Sequence, residues 1–441
     1  MEAFRGVPGF GHPVVVVVRI GLKTSDSVRR KGSGYEGYVL NRIVVAWGWL
    51  ALLAGLPARA DVNAELGLES RYFFEDALSG QDRHQSSLRL ELDYYETGVD
   101  SVYSGTLFVR LDREDQERRS YDVREALWTY FGDRWEVKAG IGKVFWGVTE
   151  SRHLVDIINQ SDLAENLDGE DKLGQPLLKL SFEQDWGTLD LFWLPYFRER
   201  NFPGAESRLR TPFVVEPSNA HHDSGAEQWR SSFALRYAGR FDSLEYALSH
   251  FSGVGRDPVL HPNGFVLEPL YLTIDQTGLE LQYIYQDWLL KFEGISTSGY
   301  EERFSAAVFG FERTQVGIFD TQADLGWLLE YMFDDRGEDA PHSFERDFFA
   351  GWRYAFNDED SSEILAGVIY DPKTNERIYS MEMSKRLTGD LKIFVEARVF
   401  GGVATPGPDL LSIIASATDP DQKTAFLQSD DYIQIELVKY F

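Results

Sequence analysis

The sequence predicts one all-β domain, a transmembrane antiparallel up-and-down β-barrel of about 18 strands, with 16 as the alternative count. Three observations carry that prediction. An export-type leader precedes the domain, short segments alternate apolar with charged side chains, and the gaps between those segments alternate short with long. No stretch after Asp61 is apolar for long enough to cross a bilayer as a helix. Crossing must therefore use strands, closed on themselves so that no backbone edge meets hydrocarbon.

The leader comes first in the chain. Arg29, Arg30, Lys31 and Arg42 precede an apolar run from Ile43 to Leu56, and Ala58-Arg59-Ala60 forms a small-x-small cleavage site before Asp61. The run is short for a transmembrane helix and Pro57 closes it, so an uncleaved anchor is the weaker alternative. Residues 1–38 show no part in this signal, and translation is expected to start near Val39. The expected division is a leader and signal peptide over residues 1–60 and a barrel over residues 61–441.

Composition fits strands. Aromatic residues make up 14% of the 441 residues, and the absence of Cys excludes disulfides, thiolate metal sites and a cysteine nucleophile. Of 44 basic and 71 acidic residues the leader holds 8 and 3, which leaves the remainder at −32. Such a domain repels phosphates, so nucleic acid is not an expected partner. With 43% hydrophobic residues the chain is not expected to be disordered either.

Strands are expected near residues 62–75, 87–96, 101–113, 121–131, 135–147, 176–184, 188–198, 229–238, 243–254, 276–286, 288–297, 302–315, 322–333, 345–355, 361–371, 376–387, 390–401 and 430–441. Leu88, Leu90, Leu92 and Tyr94 alternating with Arg89, Glu91, Asp93 and Tyr95 show the pattern. Tight turns follow the even-numbered strands, the twelfth apart: Thr97 to Asp100, Gly132 to Arg134, Asp185 to Gly187, Gly239 to Asp242, Asp287, Asn357 to Asp360, and Thr388-Gly389. The long gaps, 148–175, 199–228, 255–275 and 402–429, all follow odd-numbered strands. A sandwich has no reason to keep that parity, whereas a membrane barrel has turns on one side and loops on the other. Tyr94, Tyr95, Phe131, Trp135, Trp186, Tyr237, Trp288, Tyr354 and Phe356 cluster beside the turns, as an interfacial girdle would.

The chain ends at Phe441, with Leu437, Ile435 and Ile433 at alternate positions before it. This resembles the terminal strand by which the outer-membrane barrel assembly machinery recognises its clients, and makes Phe441 the candidate assembly signal. Lys439 stands where that family often has an aromatic, which here is Tyr440. Residues 61–441 resemble bacterial porins and porin-like channels in length, strand number and terminal Phe. Gly142-Lys143-Val144-Phe145-Trp146-Gly147, with Asp156-Ile157-Ile158-Asn159 and Asp162-Leu163, is similar to a segment of porin-like families with no agreed solute. The resemblance implies an integral multi-pass protein of a Gram-negative outer membrane, in contact with lipid and lipopolysaccharide and folded by the assembly machinery. It further implies a homotrimer, no cofactor, and passive diffusion of small hydrophilic solutes rather than catalysis.

In porins the third external loop folds inward, and by position this is residues 148–175. Its Arg152, Asp156, Asp162, Glu165, Asp168, Glu170 and Asp171 are the candidate constriction residues, with Ser151 expected to cap a short helix through Ile158. Inside the barrel its carboxylates would favour cations; outside they would be a solvated face. Asp168-Gly169-Glu170-Asp171 lacks a full Ca²⁺ ligand set. Wall positions expected to face the lumen are Arg89, Glu91, Asp93, Arg124, Glu136, Lys138, Arg236, Glu280, Glu382, Lys392, Glu396 and Arg398. Opposed rows of these charges would set a field across a pore, or would merely neutralise one another and stiffen the wall. His221-His222-Asp223 has no third metal ligand at a recognisable spacing, and Ser231, Asp242 and His250 lack a Gly-x-Ser-x-Gly context. A closed or plugged barrel that acts as a surface structural or binding protein is the alternative to a channel. No strand reads as less lipophilic than the others, so no subunit seam is visible.

Overall fold

The computed structural model describes residues 60–441, and the expected leader before Ala60 lies outside the described residues. Eighteen strands form one sheet: β1 (Ala60–Phe73), β2 (His84–Thr97), β3 (Ser101–Asp112), β4 (Ser120–Phe131), β5 (Trp135–Gly142), β6 (Gln175–Gln184), β7 (Gly187–Leu194), β8 (Ser232–Phe241), β9 (Leu244–Val254), β10 (Thr273–Tyr285), β11 (Trp288–Ser298), β12 (Phe304–Gln315), β13 (Asp324–Asp334), β14 (Phe348–Ala355), β15 (Glu363–Tyr370), β16 (Arg377–Thr388), β17 (Leu391–Gly401) and β18 (Tyr432–Tyr440). Each pairs antiparallel with its chain neighbours. β18 returns to β1, with Tyr432 opposite Phe73 and Tyr440 opposite Glu65, so the sheet is a closed barrel without an edge.

Alternation sorts the side chains. On β1, Leu66, Leu68 and Tyr72 are exposed on the outer wall while Glu69, Arg71 and Phe73 are buried inside. The outer wall is apolar because it must meet hydrocarbon, which gains nothing from polar groups. Turns at Asp242 and Gln286 place a non-glycine residue at φ 54° and 56°, the left-handed geometry that two-residue hairpins require. Aromatic pairs stand at the turn end, among them Trp186 with Tyr237 (5.6 Å) and Trp288 with Phe311 (4.9 Å).

Two expectations need correction, and two of the long loops hold secondary structure of their own. β5 stops at Gly142 rather than 147, because Asn159 takes the Gly142 carbonyl and the Val144 amide and draws the chain off the wall. No helix forms from Ser151 to Ile158; the Ser151 amide and hydroxyl both donate to Glu330, so the residue expected to cap a helix is used in a tertiary contact. The loop after β9 is not irregular throughout, since Val259–Asn263 and Val266–Tyr271 form a hairpin joined by Val214–Val215 and His221–His222. The loop after β17 carries helix α1 (Leu410–Ala417), capped by Asp409, whose carboxylate accepts from the Ser412 amide at 3.0 Å.

Candidate functional site

Residues 143–174, between β5 and β6, lie inside the barrel. Two buried wall carboxylates hold the segment. Glu293 of β11 accepts from the amides of Val148 (2.7 Å) and Thr149 (2.9 Å) and from the Thr149 hydroxyl (2.7 Å). Glu330 of β13 accepts from the amides of Glu150 (2.8 Å) and Ser151 (2.7 Å) and from the Ser151 hydroxyl (2.5 Å). Charge-assisted bonds of this kind are about twice as strong as neutral ones. Within the loop, Asn159 accepts from the Val144 amide and donates to the carbonyls of Gly142 and Leu173, which ties the two ends of the excursion together. Arg256 donates to the Ile158 carbonyl from above β9, and Arg353 of β14 reaches Glu150 at 2.9 Å.

The loop does more than line the wall. Its Trp146, Leu154, Val155, Ile157, Ile158 and Leu167 join one continuous buried apolar cluster with inward residues of the strands. The cluster includes Leu177 and Phe192 on β6 and β7, Ile295 and Val308 on β11 and β12, Met332 and Phe349 on β13 and β14, and Phe400 and Tyr432 on β17 and β18. Leu209, Phe344 and Leu427, from the loops after β7, β13 and β17, complete it on the loop side. Arg208 is wholly buried there, donating to Asp430 at 2.7 Å and to the carbonyls of Glu75 and Ser429.

Along β1 to β4 the same level is closed by ions. Arg110 bonds Glu165 and Glu69, each at 2.8 Å, while Arg118 bonds Glu69 and the Ala164 carbonyl and lies 3.1 Å from Asp112. Buried charges persist only when paired in this way. Apolar packing thus surrounds the loop over most of the circumference and paired charge over the rest, and a cavity reaches up to Glu69, Arg110 and Glu165.

The twelve wall residues named from the sequence all take inward positions, and most are engaged. Arg89 bonds Glu436 (2.8 Å), Asp93 accepts from Thr106 (2.6 Å), Lys138 lies 3.4 Å from Glu136, and Arg236 grips Glu280 with two bonds of 2.9 and 2.8 Å. Arg398 bonds Glu396 (2.9 Å) and the loop's Asp168 (3.0 Å) and lies 3.9 Å from Glu382. Lys392 lies over the Phe394 ring, and Arg124 over that of Phe108, with Glu91 at 3.6 Å and Asp171 at 3.9 Å from Arg124.

The seven loop residues are likewise placed against partners. Arg152 meets His342 at 2.8 Å; Asp156 accepts from the Trp146 amide and lies 3.2 Å from Lys172; Asp162 is buried next to Glu165. Glu170 lies 3.4 Å from His153. Burial, reinforced by Glu165, pushes the Asp162 carboxyl up to about 7. Burial likewise takes Asp168 up to about 7, against the opposing pull of Arg398. Burial works against a charged His153, yet the carboxylates of Glu170 and Glu293 on either side hold its pKa well above the ordinary histidine value.

Beside the loop a charged chamber of about 670 Å³ opens, lined toward the loop side by Glu69, Arg71, Arg110 and Gln434 and toward the turns by residues of β2 and β14 to β18. Arg89, Arg353, Lys392, Glu363, Glu382 and Glu436 line it. Sequence reading missed the anchors Glu293 and Glu330 and the ionic core of Glu69, Arg110 and Arg118. An inward Glu followed by an inward apolar residue, as in Glu293-Gly294-Ile295, was the available signal. His222 is held by Glu199 at 3.0 Å and stacked on Tyr271, and His250 pairs with Thr277 on the outer wall. Neither belongs to a group of three or more His, Asp or Glu side chains placed to hold a metal ion among the described residues. Phe441 follows β18 on the turn side, its amide donating to the Ala64 carbonyl at 2.9 Å.

No family model and no curated protein matches the chain. Among solved structures it is similar to Wzi of Escherichia coli, an outer-membrane protein involved in group 1 capsule assembly and described as a carbohydrate-binding β-barrel. The two are 9% identical with a TM-score of 0.50, over 93% of this chain and 89% of that one. It is also similar to OpdQ of Pseudomonas aeruginosa, at 15% identity and a TM-score of 0.47 over 86% and 98% of the two chains. For Salmonella typhi OmpF the values are 10% and 0.43 over 87% and 97%. At these identities the likeness shows the fold alone, a closed antiparallel β-barrel.

Proposed function

We propose that the chain is a closed outer-membrane barrel, a surface structural or binding protein of a Gram-negative cell, with its loop side outward and its charged chamber open to the periplasm. The observation that carries this reading is the continuous apolar cluster running from wall through loop to opposite wall. Water cannot file through close-packed side chains, and a segment held by two buried carboxylates does not swing aside at small cost. In proteoliposomes loaded with impermeant polymer, the protein is expected to give no swelling with sugars or amino acids. Swelling at porin-like rates would overturn the closed reading.

A channel is the second reading, favoured by the chamber beside residues 165–171 and by the mixed charges around it. In that reading the loop's carboxylates would give a preference for cations, and contact with lipopolysaccharide and delivery by the assembly machinery through Phe441 would be unchanged. In neither reading does the chain act as an enzyme.

A further inference from the structure

Arg124 of β4 and Glu165 of the inward loop line the charged chamber and are only 6% and 5% exposed. Phe108 holds the guanidinium in place, its ring centroid 3.5 Å from the central carbon, which fixes the plane of the donors. Nη1 of Arg124 faces Glu91 at 3.6 Å and Asp171 at 3.9 Å. Nε and Nη2, the edge that grips a ligand with two bonds, have no hydrogen-bond partner among the described residues. Glu165 stands 3.9 Å from Nη2, too far for a direct bond. One of its oxygens takes Arg110, and the other, Oε1, has no hydrogen-bond partner either among the described residues. Buried polar groups are bonded as a rule, so two donors and an acceptor left over on neighbouring side chains point to a bound group.

The chemistry of that group follows from both sides of the gap. A carboxylate or phosphate suits the edge of Arg124 but offers nothing to Glu165, and it stands against the charges of Glu91 and Asp171. An ammonium suits Glu165 and offers nothing to Arg124. A hydroxyl both donates and accepts, so one or two hydroxyls satisfy the whole gap. Around β16 and β17 the same combination recurs. Lys392 rests 4.6 Å over the Phe394 ring with no carboxylate partner among the described residues, and the ion-pair partner of Glu382 there is Arg398 at 3.9 Å. All three, Lys392, Phe394 and Glu382, line the chamber. Spare donors and acceptors around an aromatic ring match a molecule with hydroxyls on its edges and C–H groups on its faces. At about 670 Å³ the chamber has the ordinary size of a small-molecule site.

We propose that the chamber is a saturable binding site for a neutral saccharide of one or two rings, held at Arg124 and Glu165. The inference names a ligand class for the binding reading and takes from it only the side of access. The two fail separately, since swelling of proteoliposomes would remove closure and leave the site.

The full-length protein in detergent, titrated with lactose, sucrose and trehalose in turn and followed by saturation-transfer NMR of the sugar protons, is expected to bind at least one of them saturably. Spermidine and glucuronate, as cationic and anionic probes, should bind more weakly than that sugar. Arg124→Lys keeps the charge and loses the two-bond edge, and should weaken the sugar about tenfold or more while the barrel keeps its folded, heat-modifiable mobility on gels. Lys392→Met, at a less buried position, should weaken it in the same direction and serves alone should Arg124→Lys not fold. Saturable binding of none of the three sugars, tighter binding of spermidine or glucuronate, or undiminished sugar binding by the folded variants would overturn the proposal.

Discussion

Glu293 shows what one inward residue can do in a barrel wall. A carboxylate at this position receives three donors from Val148 and Thr149 through one oxygen, and the Val155 amide (3.3 Å) through the other. Glu293→Gln keeps the shape but removes the charge, and is expected to cost roughly 1.5–3 kcal/mol. A lower thermal midpoint in detergent, with new protease cuts confined to residues 148–174, would show it. His153 next to it gives a pH dependence of definite sign. Its folded pKa is raised by Glu170 and Glu293, so its contribution is complete below the ordinary histidine value near 6.5 and is lost as pH rises through the higher folded value. Asp162 and Asp168, raised to about 7, act in the same direction. Neutral in the fold and ionised when unfolded, they withdraw stability as pH climbs from about 4 to 7. The loop should thus be cut more readily by protease at pH 9 than at pH 6, and His153→Gln should flatten the alkaline part of that dependence.

At the scale of elements, the loop and the wall are shaped for each other. Gly278 on β10 faces inward where Val155 sits, and a Cβ there would stand 3.0 Å from Val155 and 2.7 Å from the Ser249 hydroxyl. Gly278→Leu should therefore push the loop from its seat at a cost of about 1–3 kcal/mol, measurable by chemical unfolding, while the strands still assemble. The strands themselves were legible. Alternation such as Leu391, Ile393, Val395 against Lys392, Phe394, Glu396 survives in a barrel because one face meets lipid and the other does not. The inward charges followed from the same parity. Their pairing did not, since Arg398 and Asp168 are 230 residues apart and nothing local joins them. The apolar packing of the loop inside the barrel was hidden for a related reason. Phe192, Ile295 and Met332 are apolar and point inward, and an apolar residue on a strand carries no mark in sequence of which apolar medium it enters.

For the whole molecule, the proposed reading makes the barrel a cup more than a tube, with a charged chamber beside an apolar cluster that the inward loop shares with the wall. Under that proposal, closure by residues inside the wall leaves the loops, including the hairpin after β9 and helix α1 after β17, free to serve the outward surface. It also makes the closure removable: excision of residues 149–170 with a short Gly/Ser bridge should leave the hydrogen-bonded ring intact and create a wide passage. Single-molecule current in planar bilayers tests the central claim most directly. The intact protein is expected to insert silently and the excised one to give large, steady steps. Discrete steps of porin size from the intact protein would contradict the sealed lumen.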